Sequence, residues 1–223
     1  MTSHPVPPPD LLYWFVHGCP RWLWRLMGHV ETTGLEHVPA DGPFLLIANH
    51  QSVMDPMLIQ SLCPRPMHAM AKSTQFNMPI IGPIMSHCYS YPVRRFEVDP
   101  QSVRLTLRRL GQGHAVAIYI EGERTWDGRL QKPREGTVRL ALKAGVPIIP
   151  TAIADAYDVW PRWDRRPRSG FIAIRYGTPF RLPRLDDRKD RAAELPAATE
   201  RIMSAIRSEL ALADARVREI RGW

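Results

Sequence analysis

Cysteine is scarce in this chain: Cys19, Cys63 and Cys88 are the three among 223 residues. Their number is odd, their spacing is wide, and no Cys-x-x-Cys or Cys/His ligand spacing occurs. A disulfide framework and a zinc site are therefore not expected, and a reducing compartment is. Long hydrophobic runs are missing too. The most apolar stretch, residues 11–30, is interrupted by His17, Pro20, Arg21 and Arg25. It falls short of the roughly 20 apolar residues that a spanning helix needs. No basic region precedes an apolar core near Met1, so no secretory signal is read there. No internal repeat or long low-complexity tract is visible. No serine or cysteine sits in an obvious nucleophile elbow, which leaves room for a reacting alcohol that belongs to a substrate.

Hydrophobic residues make up 44% of the chain, enough for one sizeable domain with a real core. The formal net charge is +8. That charge suits an anionic partner, whether nucleic acid, an acidic membrane or a phosphorylated substrate, and it equally suits a merely basic solvated surface. Residues 11–30 carry three tryptophans within eleven residues, with arginines between them. Two short amphipathic helices in a lipid headgroup layer fit that pattern, as does a helix pair packed on the domain's own core. We divide the chain into an N-terminal amphipathic membrane-associating segment, residues 1–30, and an α/β domain, residues 31–223.

Along that domain strand and helix signals alternate, which predicts a mixed, largely parallel central sheet flanked by helices. Strands are expected over residues 44–48, 68–71, 84–93, 115–120, 146–153 and 171–176. The fifth carries Pro147 and Pro150 and is expected at an edge or a bend. Asp55-Pro56 and Asp99-Pro100 each read as a helix cap followed by proline. Further helices are expected over residues 136–144, closed by Gly145, and 197–217.

Four constellations carry chemistry. Asn49-His50-Gln51-Ser52-Val53-Met54-Asp55 follows a buried strand. A histidine steadied by a carboxylate can take a proton from an alcohol and return it to a leaving group. Pro92-Val93-Arg94-Arg95 puts two guanidinium groups at a strand end. Glu121-Gly122-Glu123-Arg124-Thr125 opens a second loop, with Gly122 allowing close backbone approach and Arg124 offering a fork for phosphate. Val146-Pro147-Ile148-Ile149-Pro150 is apolar and stiff, as in the wall of a greasy channel. Each has a plainer reading alone: Asp55 as a helix cap, His50 as a surface residue, Arg94 and Arg95 as a solvated pair, Glu121 as a partner of Arg124. The Trp160–Arg168 stretch mixes tryptophan and arginine and suits anionic headgroups or a solvated loop. Single-stranded nucleic acid could use the same mixture, but no nucleic-acid motif accompanies it, so that partner is not expected.

In this order and spacing, the four resemble the four blocks of the glycerolipid acyltransferase family, best known from the 1-acylglycerol-3-phosphate acyltransferases. The likeness runs from about Val30 to Gly177. It implies that His50 is the general base and that Asp55 holds its ring. It also implies that Arg95, Arg94, Glu121, Gly122, Arg124 and Thr125 bind the acceptor, and that Val146 to Pro150 shape the acyl-donor site. The implied reaction moves a fatty acyl group from acyl-CoA or acyl-carrier protein to a lysophospholipid hydroxyl at the cytoplasmic face of an anionic membrane. No metal and no further cofactor are implied. Two departures stand out: Glu123 and Thr125 replace the usual Thr and Ser of the third block, and Tyr89 stands where the second block usually begins with Gly.

Overall fold

The computed structural model describes Leu11, Tyr13, residues 28–94 and residues 99–222. Among them a seven-stranded sheet forms the centre, in the order β1-β7-β6-β2-β5-β3-β4. The strands are β1 (Gly28–Thr33), β2 (Leu45–Ala48), β3 (Met67–Lys72), β4 (Ser90–Val93), β5 (Ala115–Tyr119), β6 (Ile148–Ala154) and β7 (Gly170–Tyr176). Strands β6, β2, β5, β3 and β4 run parallel, β7 is antiparallel to β6, and β1 lies parallel to β7 at the far edge. The sheet is thus mixed and largely parallel, as expected. The parallel strands are apolar on both faces because helices cover both.

The helices are α1 (Asp55–Leu62), α2 (Ile81–His87), α3 (Pro100–Gly111), α4 (Glu135–Ala144), the single turn α5 (Ala156–Val159) and α6 (Arg188–Arg221). Alternation along β2 sorts the core into two layers. Phe44, Leu46 and Ala48 pack with Leu58 and Ile59 of α1. Leu45 and Ile47 pack on the other side with Leu110 of α3, Val138 and Leu142 of α4, and Ile202 and Ile206 of α6. The far end of α6 lays Ala213 and Val217 on Phe171 and Ala173 of β7.

Several expectations need correction. Residues 84–93 are not one strand: α2 takes Ile84 to His87, and β4 begins only at Ser90. A short apolar run cannot be assigned by periodicity alone. Pro83 in the first turn costs α2 no intrahelical hydrogen bond, because the residue four before it, Pro79, precedes the helix. Strand β1 begins at Gly28, inside the stretch assigned to the N-terminal segment. The rest of that segment, Leu11 and Tyr13 apart, lies outside the described residues. Helix α6 starts at Arg188 rather than 197 and passes through Pro196, because Asp187 caps it by accepting from Lys189 N at 2.6 Å and Asp190 N at 3.4 Å.

The proline-bearing strand β6 is central, not an edge. Ile148 exchanges two hydrogen bonds with Phe180, and Pro150 O accepts from Gly177 N. By strand alternation the missing N–H of Pro150 therefore faces the β7 side. There the pairing moves from Ile148↔Phe180 to Thr151↔Tyr176, one residue out of step. A proline is tolerated inside a sheet at such a bulge. No helix among the described residues is long and apolar enough to cross a membrane.

Candidate active site

The carboxyl ends of the five parallel strands share one edge of the sheet, where α/β folds bind ligands. Strand β2 ends there in Asn49 and His50. The Asn49 side chain continues the β2–β6 pairing by hand: Nδ2 donates to Ile153 O at 2.8 Å and Oδ1 accepts from Ile153 N at 2.8 Å. This amide holds the chain straight up to His50.

The His50 ring is fixed from two directions. Its Nδ1 lies 2.7 Å from Asp55 Oδ2. Its face stacks on Tyr119, with ring centroids 4.0 Å apart. Burial, and the Asp55 charge after it, raise the Tyr119 hydroxyl well above its usual range, so the platform stays neutral. Asp55 is fully buried and does not cap α1 with its side chain. Its Oδ2 instead accepts from Gln51 N at 2.6 Å and Ser52 N at 2.8 Å. One carboxylate oxygen therefore shapes the loop and aims the imidazole. Asp55 Oδ1 is buried with no hydrogen-bond partner among the described residues.

Strand β5, next to β2, delivers Glu121. Its carboxyl is 3% exposed and faces inward: Oε2 accepts from His50 N at 3.3 Å and Oε1 from Gln131 N at 3.2 Å. Burial pushes it up to about pH 8, against the lowering effect of those two N–H groups. Glu121 thus braces the His50 loop from behind instead of presenting a carboxylate outward or pairing with Arg124. Gly122 holds φ +72°, and a Cβ there would meet Arg134 Cγ at 2.8 Å. The stem of Arg134 lies across it, and Arg134 Nε donates to Glu121 O at 3.3 Å. Thr125 is buried as well. Its N–H donates to His50 O at 2.8 Å and its hydroxyl donates to Arg129 O at 2.8 Å, so it staples the loop.

The charge of Glu123 is met by two cations, Arg134 at 3.4 Å and Arg162 at 3.7 Å. Arg162 also donates to Arg124 O at 3.1 Å and lies over the Trp126 ring at 3.4 Å. Arg124 is partly buried; burial and the nearby Arg162 lower its pKa, and Asp55 opposes them. Arg94 is exposed at the end of β4, its N–H donating to Asp99 Oδ2 at 2.9 Å. Three strand spacings separate β4 from β2, roughly 14 Å. Arg95 lies outside the described residues. The block from Val146 to Pro150 is not brought to this edge. It starts β6 beside Leu45, one strand length from His50, and Ile148, Ile149 and Pro150 are buried in the sheet. Its apolar character is that of a core strand; the end of β6 that reaches the site is Ile153.

An orienting carboxylate, a fixed imidazole and a nearby guanidinium can together deprotonate a hydroxyl and hold an anion beside it. A family model described as Acyltransferase matches residues 29–154, more than half of the chain. The chain belongs to the acyltransferase family. The match runs from the second residue of β1 to the last of β6 and includes His50, Asp55, Glu121 and Arg124.

Its relatives include the chloroplastic 1-acyl-sn-glycerol-3-phosphate acyltransferase of Brassica napus, 33% identical over 136 residues, which are 59% of this chain and 39% of that protein. The 1-acyl-sn-glycerol-3-phosphate acyltransferase of Bacillus subtilis is 28% identical over 142 residues, 63% of this chain and 70% of that one. The match thus spans well under half the length of the Brassica relative. The crystal structure of the 1-acyl-sn-glycerophosphate acyltransferase PlsC from Thermotoga maritima superposes with a TM-score of 0.70 at 20% identity, covering 85% of this chain and 77% of that chain. The acyltransferase fold is therefore shared.

Tyr119 and Gln131 support the site but were not singled out in the sequence, while Asn49, Gln51 and Arg162 were quoted there only as members of longer stretches, with no role of their own. Tyr119 ends a strand two residues before Glu121, which is the one local signal it carries. Arg162 comes from a loop 38 residues away from the arginine it holds, and nothing in its tryptophan–arginine stretch signals that contact.

Proposed function

We propose that this acyltransferase moves a fatty acyl group from acyl-CoA or acyl-carrier protein to the free hydroxyl of 1-acylglycerol 3-phosphate, giving phosphatidic acid. The observation that carries the reading is the His50–Asp55 pair at 2.7 Å, buried and backed by Glu121. With Nδ1 bound to Asp55, Nε2 is the nitrogen that takes the acceptor's proton. The acceptor oxygen attacks the thioester carbonyl, the C–O bond forms, the C–S bond breaks, and His50 returns the proton to the departing thiolate. No residue of the chain is acylated.

Arg124 and one arginine of the second block, Arg94 or Arg95, hold the acceptor phosphate. The repulsion that Arg124 feels from Arg162 supports this role, because an anion between them relieves it. Glu121, Gly122 and Thr125 serve the same acceptor site by shaping the loop that presents Arg124. The charge that Glu123 adds to the acceptor loop is met by Arg134 and Arg162. We place the enzyme at the cytoplasmic face of the membrane, where a lysolipid and a soluble thioester meet.

The test is an assay of the purified chain with labelled thioester and a panel of lysolipids. Phosphatidic acid from 1-acylglycerol 3-phosphate is expected, and His50→Ala should abolish it with the fold intact. Transfer that survives His50→Ala would remove the mechanism, and a preference for an acceptor without phosphate would remove the substrate.

A further inference from the structure

Most of the large apolar side chains exposed among the described residues lie in the segments that leave the carboxyl ends of the parallel strands. Val53 and Met57 follow β2, Ile80 follows β3, Trp126 follows β5 and Trp163 follows β6. The two tryptophans are 55% and 54% exposed. They are not loose. Their ring centroids stand 5.9 Å apart, the Arg162 guanidinium covers Trp126, and Tyr157 meets Trp163 edge-on at 6.1 Å. The Tyr157 hydroxyl donates to Trp126 O at 3.0 Å. The ledge adjoins the site, because Trp126 follows Thr125, whose N–H binds His50 O, and Ser52 Oγ donates to Trp160 O at 2.8 Å. Holding two indoles in water on a braced support has a free-energy cost that a partner recovers.

The charge around the ledge says what that partner is. Residues 123–134 and 157–168 carry eight Lys and Arg against four Asp and Glu. Two of those acids are already paired, Glu123 with Arg134 and Arg162, and Asp164 with Arg168. Arg129, Arg165 and Arg166 are exposed. Rigid indoles flanked by arginines suit the headgroup layer of an anionic bilayer, where the ring sits at the apolar boundary and the guanidinium reaches phosphate. Val53, Met57 and Ile80 along the same edge suit a continuous apolar layer better than the compact face of an acidic protein.

We propose that the Trp126–Trp163 ledge, with Arg129, Arg165 and Arg166, docks on an anionic lipid bilayer and holds the His50 mouth against the headgroup plane. The proposal deepens the acyl-transfer reading and rests on it for why a lipid surface should lie at this mouth. It is tested without turnover, by sedimenting the full chain with phosphatidylcholine vesicles, with and without phosphatidylglycerol. Wild type should prefer the anionic vesicles and lose that preference in high salt. Trp163→Ala should lower partition onto them about fivefold, and Arg165→Gln with Arg166→Gln about tenfold. Both variants should keep the wild-type unfolding midpoint and the wild-type rate on a water-soluble short-chain acceptor. Wild-type partition in both variants overturns the proposal. If they bind vesicles normally but lose capture by an acidic acyl-carrier protein, the ledge belongs to that protein and the proposal also fails. Lost partition in a chain that acylates no acceptor leaves the docking surface standing and removes the function.

Discussion

Tyr13 and Tyr89 stack with ring centroids 4.8 Å apart, and Tyr89 does so from a left-handed backbone at φ +60°. Tyr89 stands where the second block of the resembled pattern usually begins with glycine, and it adopts the left-handed conformation that favours glycine. The ring is gained at the cost of about 1 kcal/mol of backbone strain. Tyr89→Ala keeps the strain and loses the stack, whereas Tyr89→Gly loses both. The glycine variant should therefore unfold at higher denaturant than the alanine variant, by about 1 kcal/mol, reversing the usual order. Equal midpoints would mean that the conformation carries no strain.

Asp55 does two jobs through one oxygen, and two substitutions separate them. Asp55→Asn keeps an acceptor for Gln51 N and Ser52 N and removes the charge behind His50. Its kcat should fall about 10³-fold or more with little change in the unfolding midpoint. Asp55→Ala leaves both buried N–H groups unpaired and should also destabilise the fold by about 2–4 kcal/mol. If both variants unfold alike, the loop does not depend on this carboxylate.

The Glu121 carboxyl is raised from 4.5 to about 8 in the folded chain, chiefly by burial. The folded state then binds the proton more tightly than the unfolded state does. The resulting stabilisation is fully present below pH 4.5 and is lost as the pH rises through about 8. Glu121→Gln cannot titrate, so the stability gap between wild type and this variant should shift steadily against wild type from pH 4.5 to 8. Thermal melts across that window check it, and a constant gap would mean that the carboxyl is not perturbed.

Arg162 touches Glu123, the Arg124 carbonyl and the Trp126 ring with one guanidinium. It positions the loop that presents Arg124 and does not itself touch the reacting atoms. Arg162→Lys keeps the charge but loses the planar fork. It should raise KM for a phosphate-bearing acceptor about tenfold while kcat stays within about threefold. A collapse of kcat at unchanged KM would instead place Arg162 in the chemical step.

The local order of the site was legible in the chain. Apolar residues 44–48 predicted the strand that ends in His50, and Asp99-Pro100 predicted a capped helix whose Asp99 accepts from Ser102 N at 3.1 Å. Gly145 closes α4 at φ +61° as expected. The direction in which side chains face was not legible. Glu121 and Thr125 read as groups that meet substrate, yet both bind backbone, that of His50 across the sheet edge and that of Gln131 or Arg129 in their own loop. Asp55 read both as a helix cap and as the holder of the His50 ring; it lies against that ring but collects the loop before it rather than capping α1.

What the sequence determined by itself is whatever depends on neighbours a few residues apart: strand and helix character, the turn at Gly122, and a histidine five residues before a carboxylate. The tertiary structure alone decided what depends on strand order. Placing β5 beside β2 puts Glu121 behind His50 and Tyr119 beneath its ring. Placing β6 on the other side turns a proline-rich motif into a buried core strand and brings Arg162 onto the Arg124 loop. Pairing energies between distant segments are nearly independent of the local pattern that forms each strand, so no window of sequence holds that information.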